Sequence, residues 1–237
     1  NRAAQLLNIP IEDSAFVIAH IGSGASLAAV LNGQSVDTTM GFTPLDGIVM
    51  CTRAGSVDPA IIPYMMDRLG ESAEEIVDDL NHRSGLLGMS GFSSDQREVS
   101  AAATKGDEKS AIAMETLAYS IAKNIAAMMV ALPRVDALIF TAGAGENASG
   151  LRVGIVEHLK VFNYQIDKDQ NKRIRGRNGL DGVISEKDTP VIMAIRTNEE
   201  LVIAEETEAV VSGKKVAAKG KDTKAAKRPR FPPRNWN

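Results

Sequence analysis

Phe16-Val17-Ile18-Ala19-His20-Ile21-Gly22-Ser23-Gly24-Ala25-Ser26 opens as an unbroken apolar run and then breaks at a pair of glycines. A short apolar run that stops at turn residues reads as a buried strand. A second apolar run, Leu27 to Leu31, ends on Asn32-Gly33, a pair that signals a hairpin when it lies between such runs. The stretch therefore reads as strand, glycine loop, strand, tight turn, and a third strand from Gln34 to Thr39. Gly22 and Gly24 allow backbone to come close to a ligand with amide N–H groups outward, a concavity suited to phosphate oxygens. His20, at the strand end, can reach the same anion. A plain tight turn and a structural histidine would use the same residues.

Upstream, residues 1–9 read as the end of a helix closed by Pro10. Downstream, Met40 to Gly47 is rich in turn formers. Asp58 and Pro59 suit the cap and first position of a helix from Ala60 to Leu69 that ends at Gly70. Ser72 and Glu75 have capping-box spacing for a helix from Ala73 to Asn81. Residues 84–97 are rich in Gly and Ser and read as a long loop of functional type. Lys109 to Leu132 is the longest helical pattern: Ile112, Leu117, Ile121, Ile125, Met128 and Leu132 recur at helical spacing, with the methionines as core.

Asp136 to Thr141 reads as a buried strand, Ala142-Gly143-Ala144-Gly145-Glu146-Asn147 as a glycine turn, and Ser149 to Leu159 as a helix. Strand, glycine turn and helix together place a phosphate or nucleotide against backbone amides and a helix N-terminus. The full dinucleotide fingerprint is absent. Residues 163–189, with Lys172, Arg173, Arg175 and Arg177, read as a solvated surface loop. Val191 to Ile195 is another strand, and Asn198 is a suitable cap for a last helix through Val211, with Glu199 and Glu200 in its first turn. After Ser212 nine Lys and Arg residues sit among Ala, Gly and Pro, the composition of a disordered basic tail.

With 237 residues, 44% hydrophobic and 24% charged, the composition is that of a globular chain with a substantial core. The net charge of −3 gives no reason to expect a nucleic-acid partner. Cys51 is the single cysteine, so no disulfide forms within the chain, and a reducing cytoplasmic setting is expected. No apolar run is long enough to span a membrane. The chain opens without Met, in what reads as the middle of a helix, which suggests an N-terminal truncation.

Taken together, six stretches resemble the C-terminal half of the acetokinase family, within the sugar kinase/Hsp70/actin superfamily. They are His20 to Ser26, Ser35 to Gly47, Thr52 to Pro59, Ser84 to Gly88, Phe140 to Asn147 and Thr197 to Leu201. Their order and spacing match over roughly residues 1–211, and the set is specific where single motifs are not. The resemblance implies an α/β, ribonuclease H-like (actin-like ATPase) domain over residues 1–211, a mixed sheet flanked by helices, followed by the tail at 212–237. It implies reversible phosphoryl transfer from ATP to acetate with Mg²⁺ (or Mn²⁺), and a homodimer paired through this domain. It assigns His20, Ile21, Gly22, Ser23 and Gly24 to a phosphate loop and Arg53 to charge stabilisation in the transition state, with His20 donating to the same oxygens. Asp95, Gln96, Arg97, Gly143, Ala144, Gly145, Glu146 and Asn147 fall to the adenosine, Pro44 to the acyl pocket and Glu199 to the metal.

The family usually carries Asn where Ser23 stands, a bulkier aliphatic at Ala144, often an aromatic at Gln96, and Pro at Arg196. It also has an N-terminal domain with a first phosphate loop, a further arginine and a catalytic aspartate, so this chain carries about half of such a site. A propionate or other short-chain acyl kinase shares the same motifs, and a nucleotide-binding module without catalysis is the alternative of a different class.

Overall fold

The computed structural model describes residues 1–212. In chain order the elements are α1 (Arg2–Leu7), β1 (Ala15–Ile21), β2 (Ala25–Leu31), β3 (Gln34–Thr38), α2 (Ile61–Leu69), α3 (Ala73–His82), α4 (Gly85–Ser90), α5 (Gln96–Thr104), α6 (Glu108–Val130), β4 (Ala137–Thr141), α7 (Ala142–Asn147), α8 (Ser149–Glu157), α9 (Lys168–Arg173), β5 (Gly182–Val183), β6 (Ile192–Ala194) and α10 (Glu199–Val211). Asn1–Thr197 form one unit, and α10 belongs to a second.

The three-strand reading of the opening stretch holds. Asn32 and Gly33 have φ of 54° and 77°, the left-handed pair that a two-residue hairpin turn requires. The six strands run in the order β3-β2-β1-β4-β6-β5. β4 lies parallel to both β1 and β6, while the other pairs are antiparallel. This is the mixed α/β sheet expected from the sequence.

Alternation along β1 sends its side chains to opposite faces. Val17, Ala19 and Ile21 join Leu117, Ile121 and Ile125 of α6 and Ile155 of α8 in the main core. Phe16 faces the other way and packs with Ala3 and Ala4 of α1, Ile139 and Met193. Met128 is core as expected, but Ile112 is 64% exposed: five residues before Leu117, it stands roughly 140° round the helix from the apolar stripe and falls on the solvent side.

Four expectations need correction. Residues 84–97 are not one long loop: α4 and the start of α5 lie within them, because Leu86 is buried in the core and outweighs the turn-forming composition. Ala142–Asn147 is not an open turn but the helix α7, entered directly from β4 through Ala142 at φ 65°. The polar stretch 163–189 is not a solvated loop: Tyr164, Ile166, Ile174 and Ile184 are buried, and α9 is capped by the Asp167 carboxylate, which accepts from the Asp169 and Gln170 amides. Asn198 precedes α10 without a side-chain capping bond. The capping box of Ser72 and Glu75 is present as read. The basic tail falls outside the described residues.

Candidate nucleotide site

β1 and β4 are parallel neighbours with His20 opposite Thr141, so their C-terminal ends open at the same edge of the sheet. Ligands of such sheets bind beyond the carboxyl ends of the strands, where the connections diverge. Here β1 turns back into β2 through Gly22-Ser23-Gly24, whereas β4 runs on into α7. A cavity of about 800 Å³ lies there.

Its first wall is the β1–β2 turn, through Gly22 and Ser23. The Gly22 amide donates to the Gly24 carbonyl at 3.1 Å, which closes the turn on itself. The amides of Ser23 and Gly24 therefore remain as the loop's donors, without a protein acceptor among the described residues. A Cβ on Gly24 would stand 3.3 Å from Arg53 Nη1. The guanidinium of Arg53 thus lies against the β1–β2 turn, with its nearest side-chain acceptor the Met50 sulfur at 3.7 Å.

The second wall is the start of α5: Ser94, Asp95, Gln96 and Arg97. Asp95 caps the helix by accepting from the Arg97 amide at 2.8 Å. Its carboxylate also takes Arg97 Nε at 3.0 Å and a second contact from Nη2. These hydrogen bonds to Arg97, side chain first and backbone second, hold the Asp95 carboxyl at about 2. Cys51 lines the same side, its thiol pushed up by burial and then by the Asp95 charge.

The third wall is α7 and the turn after α9: Gly143, Ala144, Asn147, Ala148 and Arg177. Asn147 ties these together, donating to the Gly143 carbonyl and accepting from the Arg177 amide, each at 3.0 Å. Beneath them Arg152 is fully buried and donates to the carbonyls of Gly145, Glu146, Asn171 and Ile174 and to Asn171 Oδ1. No carboxylate balances it among the described residues; burial, then the nearby Arg175 charge, pulls it down to about 10. A buried cation held by the free carbonyls at a helix C-terminus braces that helix.

Of the residues assigned from the sequence, Gly22, Ser23, Asp95, Gln96, Arg97, Gly143, Ala144 and Asn147 share this one cavity. Ile21 lines a small apolar space of about 10 Å³ that shares Gly22, Cys51, Gln96 and Ala144 with it. His20 at the end of β1, Gly24 in the β1–β2 turn and Arg53 beside that turn are not among the residues lining the cavity. Gly145 is buried under α7. The Glu146 carboxylate turns away to accept from the Thr197 amide at 2.6 Å. Pro44 is exposed on the loop after β3, and Glu199 opens α10 in the second unit, exposed. The sequence reading passed over Cys51, Ser94, Ala148 and Arg177 as lining residues, and Arg152 as the brace. An arginine in the apolar pattern of α8 is the signal that could have drawn attention to Arg152.

The acetokinase family model matches residues 1–205. Acetate kinase of Thermoanaerobacterium thermosaccharolyticum is 45% identical over 90% of this chain and 53% of its own length, and that of Methanosarcina barkeri is 44% identical over 89% and 51%. Among solved structures, Porphyromonas gingivalis acetate kinase superposes with a TM-score of 0.82 at 36% identity, over 89% of this chain and 52% of that one. A propionate kinase from Francisella tularensis gives 0.80 at 43%, over 86% and 51%. The chain spans about half the length of the relatives it matches. With the mixed sheet, the cavity at its carboxyl edge and this likeness along residues 1–205, the chain belongs to the acetokinase family.

Proposed function

We propose that this chain supplies the nucleotide-binding half of a kinase that moves the γ-phosphoryl group of ATP reversibly onto acetate, giving ADP and acetyl phosphate. The observation that carries the reading is the gathering of Gly22-Ser23, Ser94 to Arg97 and Gly143 to Asn147, three stretches far apart in sequence, around one cavity. The Ser23 and Gly24 amides and His20 take phosphate oxygens. The start of α5 and α7 hold the adenosine. Arg53 offers a planar fork to the phosphoryl group in flight, and Pro44 borders the acyl group.

Acetate attacks as the carboxylate, so no proton must be removed: one O–P bond forms as the bond to the ADP oxygen breaks. Catalysis of such a transfer is chiefly positioning and charge neutralisation. Mg²⁺ (or Mn²⁺) supplies neutralisation of the nucleotide phosphates when bound. It keeps several waters and binds through one or two carboxylates plus the phosphates. Among the described residues no three His, Cys, Asp or Glu side chains gather as a metal cage; Glu199, a hard oxygen donor, is the residue assigned to the metal in this reading.

Propionate or another short-chain acid is the second reading, favoured by the likeness to a protein titled a propionate kinase. A homodimer in the cytoplasm completes the proposal; no described helix is long and apolar enough to cross a membrane.

The test uses hydroxylamine trapping. The 237-residue chain with ATP, Mg²⁺ and acetate should bind nucleotide yet form no acetyl hydroxamate, because much of the site belongs to sequence outside it. Residues 1–211 grafted behind the first half of the Thermoanaerobacterium thermosaccharolyticum enzyme should form it. Steady turnover by the chain alone would overturn the half-site reading, and a folded but inactive graft would overturn the kinase reading.

A further inference from the structure

Three consecutive amides carry the chain off the sheet after β6. The Ile195 amide donates to the Phe140 carbonyl at 2.9 Å, continuing the ladder to β4. The Arg196 amide donates to Asp181 Oδ1 at 2.9 Å, and the same carboxylate, its side chain only 9% exposed, takes Arg2 Nε at 3.1 Å. The Thr197 amide donates to Glu146 Oε1 at 2.6 Å. Where the ladder stops, two carboxylates serve as acceptors in place of a strand, and their charge makes such bonds short and strong. Thr197 is the last residue of the first unit, and Glu199 follows two residues later.

Thr197 grips α7 at both ends. Its Oγ1 accepts from the Ala142 amide at 2.9 Å and lies 2.7 Å from Thr141 Oγ1. Ala142 and Glu146 are four residues apart and so share one face of α7. Gly143, Ala144 and Asn147 line the cavity from another. The Glu146 carboxylate thus sits on the exit of the chain, and its seat is tight: a Cβ on Gly176 would overlap it.

We propose that Glu146 is a positioning residue for phosphoryl transfer: through the Thr197 amide it fixes the point from which the chain runs into α10 and Glu199, and it does not touch the nucleotide. The inference rests on the kinase reading of the site. A misplacement of about 1 Å costs such a transfer on the order of a hundredfold, so a residue that acts two positions beyond the sheet needs a rigid root.

Hydrogen exchange and isothermal titration with ADP, both on the 237-residue chain, test this. Glu146→Ala should speed exchange of the Thr197 amide about tenfold or more, as expected for a lost charge-assisted bond, and leave ADP affinity within about twofold. Gly176→Ala, which displaces the carboxylate without altering it, should do the same. Glu146→Gln keeps an acceptor and should match wild type. Slow exchange in α6 shows that each variant is folded. In the active graft, Glu146→Ala should lower kcat about tenfold with the KM for ATP unchanged, and Glu146→Gln should restore it. Lost ADP affinity with Thr197 still protected would make Glu146 a nucleotide ligand and overturn the proposal. Faster Thr197 exchange with normal kcat would overturn it too, since the tie would then be structural only. A chain that binds no ADP while Thr197 stays protected would overturn the nucleotide reading and leave the tie in place.

Discussion

Arg53 is half-buried without a carboxylate partner among the described residues, beside a loop whose Ser23 and Gly24 amides are also unpaired. Such a cation stabilises an anion that forms beside it. In the active graft, Arg53→Ala should lower kcat about a hundredfold or more, roughly 3 kcal/mol, with a much smaller rise in the KM for ATP. Arg53→Lys should recover only part, because an ammonium lacks the fork. Normal kcat with a lowered melting temperature would mean that Arg53 only braces its loop. Asp95 carries a different expectation. Its folded pKa of about 2 lies below the 3.8 of a free aspartate, so its contribution is present above the unfolded pKa and is lost as pH falls from 4 through 2. Asp95→Asn should cost stability at pH 6 and progressively less toward pH 2, and thermal melts across that window check the convergence; solvent screening keeps the effect small. Both residues were reached only through the family resemblance, since by composition Asp95 reads as part of a loop rather than as the cap of α5. Arg177 was not: it reaches the cavity wall through its backbone amide on Asn147, 30 residues away.

At the level of elements, the misread segments share one cause. Stretches 84–97 and 163–189 have loop composition, but a few apolar residues in each reach the core, and tertiary burial outweighs local propensity. α4 shows how tightly such a segment is fitted. Gly85 opens it at φ 60°, and a Cβ there would meet the Met50 carbonyl oxygen at 2.3 Å and the Arg53 carbonyl oxygen at 2.8 Å. The loop carrying Arg53 thus rests on Gly85. Gly91 closes the same helix at φ 78° with open space around it. Gly91→Ala should cost about 1 kcal/mol, the left-handed penalty alone, whereas Gly85→Ala should cost at least about 2 kcal/mol, since the Arg53 loop must also shift. Urea melts of the two variants provide the comparison, and equal costs would mean that the loop yields freely. The hairpin and the capping box were legible, because Asn32-Gly33 and Ser72 with Glu75 specify their own geometry within four residues.

For the whole molecule, α2 has no buried residue, and Tyr64 and Leu69 on it are 57% and 56% exposed. Phe42, on the loop after β3, is fully exposed. Apolar surface of this kind marks contact with other protein. Static light scattering at micromolar concentration should give twice the 25.3 kDa chain mass, and a clean monomer would count against the dimer. The sheet adds a mechanical consequence. The β1–β2 turn and α7 grow from β1 and β4, which are hydrogen-bonded along five residue pairs and held roughly 4.8 Å apart as all paired strands are. Two jaws rooted in one plate cannot be spread without breaking the plate, so the gap between the β1–β2 turn and α7 is fixed by the sheet itself. Amide exchange in β1 and β4 should therefore be as slow in the empty chain as with ADP present, while the rim at 175–179 gains protection.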